Sequence, residues 1–434
     1  MPRRVMTYVC VFEPDDPVSV HVWSGSDQPG FEYPELSRTG DWGIPALLSR
    51  PNLGVALSGG GYRAATLGLG WMRGLHLLGL LPAVRYVSSN SGGSWLNGVL
   101  SYSGFPVGPF LGPYAPPGDL ARGNLSSPSL LPPGSWGDTL ADKAIIADAI
   151  QGVLKDLFVP GRESFSGWTS AIAEAFYNPY GMGLQNSSIT ALGTRGNVSR
   201  RLAAAYPGVP LYAACATPDR AFPIILGTIM RIHTDQVFYP FEVTPLYLGV
   251  PARNTATDPP LGAGFIEPLG FNSKPPGAPP PSPPPVGLQG TVNVTPVKLV
   301  PLATFAGISS SFVAQGVRPG SNALYALTGT ERLQYWDPVN YTGGELSFAD
   351  GAGADNLAVT PLLRRRVTHI VVCVATANSA DMTPADWAVA QYDVAGLFGA
   401  VPLNVTSYKG MEEGITGVRP DVFNKALKVE GWPY

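Results

Sequence analysis

Apolar residues change their spacing several times along the first hundred positions, and these changes predict strands followed by helices. A short apolar run at residues 55–57 ends at a glycine-rich stretch, and apolar residues then recur at helical spacing over residues 64–78. The order repeats where a second run, at residues 85–88, is followed by helical spacing over residues 95–100. Two successive strand–turn–helix units predict an α/β sheet with helices on its faces, in which ligands bind beyond the carboxyl ends of the strands.

The remaining apolar runs predict further strands and two helices. Alternation over residues 7–12 and 18–23, around a Pro/Asp turn, predicts an N-terminal hairpin. Helical spacing predicts one helix around residues 142–158 and another around 167–176, and their position suits either a cap over a pocket or ordinary packing helices. Later strands are predicted at residues 211–217, 224–232, 297–302 and 367–376.

These elements predict one domain over residues 1–434, with an N-terminal extension at 1–50 and a cap region at about 104–200. The proline run at residues 275–285 cannot build a core, because a polyproline-type segment makes no internal hydrogen bonds. We interpret it as an exposed loop within the domain, and the alternative is a ligand for another protein module.

Composition says more about the possible binding partners than about the fold. The chain carries a net charge of −3 and only 14% charged residues, so no nucleic-acid surface is indicated. Its longest apolar stretches fall short of the roughly 20 residues that span a bilayer. Three distant cysteines and four dispersed histidines indicate neither a disulfide framework nor a metal site, and we predict no cofactor and no metal.

Two features of the sequence point to different compartments. The N-terminal apolar run is short and acidic residues follow it at once, unlike in a signal peptide. Asn-x-Ser/Thr sequons suit a secreted protein whose signal has been removed, and they occur at Asn124, Asn186, Asn197, Asn293, Asn340 and Asn404. The sequence therefore leaves the compartment open, between cytoplasmic or membrane-peripheral and secretory.

The second glycine-rich turn holds a candidate nucleophile. Ser91 follows a predicted strand and precedes two glycines and a predicted helix, the setting in which a sharp turn projects a serine hydroxyl. The G-x-S-x-G pattern is met only in part, because Ser89 stands where the first glycine belongs. The other interpretation is a βα turn that binds a phosphate or has no chemical role.

The first glycine-rich turn supplies candidates for charge stabilisation. Gly60 and Gly61 could direct backbone N–H groups at an oxyanion, because glycine allows close approach and unrestricted φ. Arg63, two residues further on, is placed to meet a phosphate or carboxylate. Taken alone, this turn could equally be a phosphate-binding loop, although the Gly-Lys-Ser/Thr ending of common nucleotide fingerprints is missing.

A general base is harder to find. No histidine lies in a loop at a predicted strand end with an acidic residue nearby; the four are His21, His76, His233 and His369. Asp350 lies in a turn of small residues after an apolar approach, where an aspartate is usually a turn former. Beside a serine turn that lacks a histidine, Asp350 becomes a candidate base.

Three segments in this order resemble the catalytic domain of the cytosolic phospholipase A2 and fungal phospholipase B (lysophospholipase) family. They are residues 58–64 (SGGGYRA), 91–95 (SGGSW) and 350–352 (DGA). Weaker likenesses lie at residues 241–245 (FEVTP), at 307–312 (GISSSF) and in the stretch that follows Asp350. The resemblance is spread over about residues 45–376.

The resemblance implies a patatin-like α/β fold, a mixed central sheet flanked by helices with a helical cap. It implies a Ser-Asp dyad, in which Ser91 is the nucleophile and Asp350 the base, and an oxyanion hole formed by Gly60 and Gly61. It also assigns the substrate phosphate to Arg63 and to a second arginine after the aspartate, which could be Arg364 or Arg366.

The hypothesis from sequence is a phospholipase A2/B or lysophospholipase that hydrolyses fatty acyl esters through an acyl-enzyme and touches membranes only transiently. One alternative is a transacylase that passes the same acyl group to a lipid alcohol. Another is a lipid-binding protein without turnover, which the Ser89 departure keeps open. Because a carboxylate base ionises below histidine, the dyad predicts activity that persists below about pH 6.5.

Overall fold

A central mixed sheet organises the chain. The computed structural model describes residues 17–38, 41–119, 129–142, 167–215, 217–230, 238–252, 263–276, 289–311, 331–338 and 341–375. Within these ranges eleven strands form the central sheet, and two more, β4 and β5, form a separate parallel pair. The strands are β1 Val18–Ser24, β2 Leu53–Leu57, β3 Tyr86–Ser89, β4 Ser188–Ala191, β5 Leu211–Ala214, β6 Phe222–Met230, β7 Phe238–Val243, β8 Leu248–Val250, β9 Gly264–Ile266, β10 Gln289–Val294, β11 Glu331–Trp336, β12 Gly343–Asp350 and β13 His369–Cys373.

Helices follow several of these strands directly. Those of the described ranges are α1 Pro45–Leu48, α2 Gly61–Leu77, α3 Gly92–Tyr102, α4 Val107–Leu111, α5 Trp136–Ala141, α6 Gly167–Ile172, α7 Arg195–Ala205, α8 Leu302–Ser309, α9 Ala352–Asp355 and α10 Thr360–Arg364. Within the same ranges, no helix combines the length and the apolar character that crossing a bilayer requires.

The parallel part of the sheet determines where a site can form. The strands β13, β2, β3 and β6 lie side by side in parallel, and Val55 of β2 stands opposite Val87 of β3. The chain leaves β2 and β3 at the same edge and enters α2 and α3 there. Both glycine-rich turns therefore lie at the carboxyl edge of the sheet, where α/β folds place their ligands.

Two strands approach each other head-on along one edge of β6. Its first half pairs with parallel β3, ending at Ser89 opposite Ile225. Its second half pairs with antiparallel β12, ending at Asp350 opposite Gly227. Because β7 occupies the other edge of β6 over residues 225–230, β12 must share an edge with β3. The ends of β3 and β12 thus meet near residue 226 of β6.

Side-chain alternation divides the interior into two cores, one on each face of the sheet. Along β6, Ile225 and Ile229 enter the first core, which also contains buried residues of α2, α3 and α8. Ile224 and Leu226 enter the second core, which contains residues of α1 and α10. Neighbouring strand residues point to opposite faces, so each core collects every second side chain.

The mixed α/β fold predicted from the strand–turn–helix pattern is confirmed. Three of the four later strands are present, as β5, β6 and β13. The strand predicted at residues 297–302 is wrong: the strand of this region is β10, which pairs with β1, and α8 begins at Leu302. Prolines at 296 and 301 bracket the mispredicted run, and proline supplies no N–H for a strand ladder.

The N-terminal and cap predictions are only partly covered by the described ranges. The second strand of the expected hairpin is β1, and it pairs with β10 and β9. Its expected partner at residues 7–12, most of the helix at 142–158 and most of the proline run lie outside the described residues. The helix expected at 167–176 is present as α6 and continues as a π-turn over Ala173–Tyr177. The cap itself stays a prediction.

Candidate active site

Ser91 occupies a strained turn between β3 and α3. Its φ and ψ are 49° and −125°, a conformation that side chains other than glycine adopt rarely and at a cost of about 1–3 kcal/mol. The backbone N–H of Ser91 donates to Ser309, 2.9 Å from its Oγ and 3.1 Å from its carbonyl oxygen. The last residue of α8 therefore holds the turn in place.

The serine that departs from the glycine pattern is integrated into the fold. Ser89 is fully buried, and its Oγ donates to the Ile224 carbonyl at 3.2 Å. The same oxygen accepts from Ser94 at 3.1 Å and from Asn97 Nδ2 at 2.9 Å. Since Ser94 Oγ also lies 2.9 Å from Ser309 Oγ, the Ser89 hydroxyl is linked to the group that holds Ser91.

The head-on meeting of β3 and β12 brings Asp350 to Ser91. Asp350 is 2% exposed, and its carboxylate accepts hydrogen bonds from the Ala352 N–H at 2.8 Å, from Asn90 Nδ2 at 3.3 Å and from the Ser91 side chain. Burial raises the pKa of Asp350 to about 7, although these three hydrogen bonds act in the opposite direction. A carboxyl that ionises near neutrality suits a group that must both take and return a proton.

The first glycine turn lies directly against the second. A Cβ on Gly92 would lie 1.8 Å from the carbonyl oxygen of Gly61, so only glycine permits this contact. Gly60 has φ of +138° and Gly61 of +58°, and α2 begins at Gly61. Within the described part of the chain, neither of their N–H groups donates a hydrogen bond. They are thus available to a ligand beside Ser91.

Arg63 lies on the first turn of α2, above the same glycines. Its Nε donates to the Ala375 carbonyl at 3.0 Å, and its Nη2 would lie 3.2 Å from a Cβ on Gly60. The residue is exposed at the carboxyl edge of the sheet. The structure therefore places a guanidinium within reach of a ligand at the glycine turn.

Neither candidate for the second arginine is placed like Arg63. Arg366 is exposed, and its carbonyl accepts from Asn52, the residue before β2, so it lies at the amino edge of the sheet, away from Ser91. The guanidinium of Arg364 lies 3.5 Å from the buried carboxylate of Glu242. Among the described contacts, none joins either arginine to Ser91, Asp350 or the glycine turns. The assignment of Arg366 to a phosphate is at odds with this position.

The histidines described by the structure are elsewhere. His21 lies in β1, packed edge-on against Trp42, and His369 begins β13 at the amino edge. His76 lies in the last turn of α2, and His233 is outside the described residues. The described ranges contain no cluster of three or more His, Cys, Asp or Glu side chains that could hold a metal ion.

Sequence reasoning assigned no role to three residues that shape the site. Asn90 contacts Asp350, and Ser309 binds the Ser91 N–H. Asn356 accepts the Gly59 N–H at 2.9 Å through its carbonyl. Ser309 and Asn356 fall in segments whose likeness to the family was noted, so the signal for them was present. Asn90 carried no such signal, because the position directly before the serine of a G-x-S-x-G turn accepts many residue types.

Short segments of the chain are similar to fungal lysophospholipases and a phospholipase B. A segment of 87 residues is 36% identical to a lysophospholipase of Penicillium chrysogenum, covering 16% of this chain and 14% of that protein. Another of 65 residues is 42% identical to lysophospholipase 2 of Candida glabrata, covering 13% and 9%. A third of 64 residues is 44% identical to phospholipase B of Cryptococcus neoformans, covering 12% and 10%. No family model matches the chain.

Among solved structures, the chain is similar to human GIVD cytosolic phospholipase A2, with a TM-score of 0.41 and 17% identity. That likeness covers 75% of this chain and 44% of the human one.

Fold and site together define a mixed α/β protein with a serine–aspartate pair at the carboxyl ends of its strands. Segments of the chain are similar to lysophospholipases and a phospholipase B, in agreement with the resemblance found in its motifs. It spans only 14%, 9% and 10% of the length of the three curated relatives.

Proposed function

We propose that this protein is a lipid acyl hydrolase of the phospholipase A2/B or lysophospholipase type, acting through Ser91 and Asp350. The observation that carries the proposal is the hydrogen bond between the Ser91 side chain and a desolvated aspartate, at a strained turn beside two N–H groups that have no partner among the described residues. A nucleophile, a base and donors for an oxyanion are the three parts that acyl transfer needs.

The geometry supports a two-step reaction. Asp350 takes the proton of the Ser91 hydroxyl as Oγ attacks the acyl carbonyl carbon, and the carbonyl oxygen becomes an oxyanion facing the Gly60 and Gly61 N–H groups. The ester C–O bond then breaks, Asp350 returns the proton to the departing alcohol oxygen, and Ser91 carries the acyl group. Water gives a proton to Asp350 as its oxygen attacks the carbonyl carbon of this ester. The bond between that carbon and Oγ then breaks, Asp350 returns the proton to Oγ, and the fatty acid leaves.

Burial of the base changes the pH dependence expected from sequence. An exposed aspartate would remain ionised down to about pH 4, but the pKa of Asp350 is raised to about 7. Since the base must be charged to accept a proton, activity should fall as pH drops through about 7. Persistence of activity well below pH 6.5 is therefore no longer expected of this dyad.

The proposed substrates are phospholipids or lysophospholipids, with the phosphate held by Arg63. The names of the relatives support this class, and the guanidinium above Gly60 supports the phosphate contact. Contact with a membrane surface would be transient: Tyr62, next to the glycine turn, is 41% exposed and offers an apolar group there. The proposed chemistry needs no cofactor, no metal and no nucleic-acid partner.

Labelling with a fluorophosphonate, which reacts with activated serines, tests the nucleophile. Wild type should be labelled and Ser91→Ala should not. Ser88→Ala is the matched control, because Ser88 is also buried in the same segment and its Oγ has no hydrogen-bond partner within the described residues. Labelling that survives in Ser91→Ala, or is absent from wild type, would overturn the proposal.

Turnover of two esters with the same acyl chain tests the substrate class. Arg63→Gln should lower kcat/KM for a lysophospholipid about tenfold, the worth of a hydrogen bond to a charged group. It should leave hydrolysis of a monoacylglycerol, which has no phosphate, unchanged. Arg366→Gln, at the opposite edge of the sheet, is the matched control. Recovery of acylated alcohol in place of free fatty acid would identify a transacylase.

A further inference from the structure

We propose that Asn90 is a positioning residue, which holds the Asp350 carboxylate in its charged form and ties it to the glycine turn. The inference rests on the proposed function, because it concerns the same serine–aspartate pair. Asn90 precedes the nucleophile directly and its side chain is fully buried.

The amide of Asn90 bridges two oxygens. Its Nδ2 lies 3.3 Å from Asp350 Oδ1 and 3.4 Å from Asn356 Oδ1. The opposite orientation would set an oxygen against both of these oxygens, so the donor end must face them. On the other side, a Cβ on Gly351 would lie 2.3 Å from Asn90 Oδ1, and glycine at 351 therefore makes room for the amide.

The bridge reaches the oxyanion turn through Asn356. The carbonyl of Asn356 accepts the Gly59 N–H at 2.9 Å, and its Oδ1 accepts from Asn90. A Cβ on Gly59 would meet both amides, at 2.3 Å from Asn356 Oδ1 and 2.9 Å from Asn90 Nδ2. One buried amide thus lies between the proposed base and the turn that carries Gly60 and Gly61.

Three hydrogen bonds from uncharged groups favour the charged form of Asp350. They are donated by the Ala352 N–H, the Asn90 amide and the Ser91 hydroxyl. The next acidic residue along the chain, Asp355, directs its carboxylate to the N–H groups of Leu357 and Thr360 and lies near Arg364. Of the three donors, Asn90 is the side chain that can be replaced without changing a reacting group.

The pH dependence of fluorophosphonate labelling tests this role independently of the natural substrate. Asn90→Leu has a similar volume but no donor. The pH below which its labelling rate falls, the acid limb of the profile, should rise by about one pH unit, as expected for the loss of one charge-assisted hydrogen bond. Labelling at pH 6.5 should then fall severalfold, while the rates at pH 9 approach each other. Asn90→Asp keeps the shape and adds a second carboxylate, so its limb should move further.

Asn97→Leu is the matched control. Asn97 is an equally buried amide that bonds to the Val87 carbonyl and Ser89 Oγ, away from Asp350, so its loss should leave the position of the acid limb unchanged. If Asn90→Leu fails to fold, the near-isosteric Asn90→Asp decides. An acid limb at the wild-type pH in a folded Asn90 variant would overturn the inference. Wild type without Ser91-dependent labelling would instead overturn the proposed function.

Discussion

Buried carboxylates on opposite faces of the same sheet have different kinds of partner. Asp350 stands opposite Gly227 of β6, whereas Glu242 stands opposite Leu226, the neighbouring residue. Because successive strand residues point to opposite faces, the two carboxylates enter different cores. Glu35, which lies near the second core, is also fully buried. Asp350 accepts hydrogen bonds from the neutral Ala352 N–H and Asn90 amide, whereas Glu35 and Glu242 contact an arginine.

The second core compensates its charges with an arginine. The guanidinium of Arg365 lies 3.1 Å from Glu35 Oε1 and 2.9 Å from Glu242 Oε2, and all three side chains are inaccessible to solvent. Tyr86 and Tyr247 donate their hydroxyls to Glu35, at 3.2 Å and 2.9 Å. This cluster, which we call the Arg365 cluster, ties α10 and the Glu35 segment to β7.

The two groups differ in what lies beside the buried carboxylates. In the Arg365 cluster, a guanidinium and two tyrosine hydroxyls contact the carboxylates, and burial still raises the pKa of Glu35. Burial also raises the pKa of Asp350, to about 7, and this carboxyl lies beside a strained serine, which the Arg365 cluster does not contain. A strained turn and a perturbed pKa at one place are typical of functional sites.

The largest effect on stability is expected from replacing the arginine of the Arg365 cluster. Arg365→Met leaves Glu35 without the arginine that contacts it and leaves Glu242 with Arg364 at 3.5 Å, and we expect unfolding free energy to fall by about 3–5 kcal/mol. Chemical denaturation measures the change. Arg366→Met is the matched control: the neighbouring arginine is exposed, so its loss should change stability by less than about 0.5 kcal/mol. Equal effects of the two substitutions would mean that the cluster does not stabilise the fold.

Replacing Asp350 should change the unfolding free energy in the opposite direction. The ordinary pKa of Asp350 is 3.8, and burial raises it to about 7 in the folded protein. Between these values the folded protein holds a proton that the unfolded chain has released, so stability falls as pH rises through this window. Asp350→Asn removes this loss and should stabilise the protein by up to about 4 kcal/mol above pH 7, with little gain at pH 4.

Denaturation of both proteins across pH 4–9 measures this difference, and labelling of the same variant should be lost. Glu345→Gln, which removes an exposed carboxylate from the same strand, is the control and should give nearly parallel curves. A variant curve that runs parallel to wild type would mean that Asp350 is not costly to ionise.

The sequence carries more information about the proposed reacting groups than about their surroundings. Ser91, Asp350 and the glycine turns carry local signals, since a strained serine and close backbone contacts each require particular neighbours. The head-on meeting of β3 and β12 has no such signal, because it depends on pairing with β6 across more than a hundred residues. The pKa of Asp350 was misjudged for the same reason: burial is a property of packing that a turn motif does not contain.

The burial of Arg365 is a second feature that the sequence does not reveal. Arg364 and Arg366 were candidates for a substrate phosphate, whereas the arginine between them was assigned no role. A run of three arginines gives no sequence signal for which one is buried. Packing decides it, since Arg365 lies 4.2 Å from the ring centre of Tyr33 and contacts two glutamates that are distant in sequence.

The smallest effect is expected at Ser89, whose buried hydroxyl is linked through Ser94 to Ser309. Ser89→Ala removes a hydroxyl that bonds to Ser94, Asn97 and the Ile224 carbonyl, and we expect a loss of about 1 kcal/mol in unfolding free energy. Ser89→Gly restores the family pattern but adds backbone freedom worth about 0.5–1 kcal/mol, so it should be the less stable variant. Both should label more slowly than wild type, because the network that reaches Ser309 supports the strained Ser91. Faster labelling of Ser89→Gly would show instead that the serine impairs the turn.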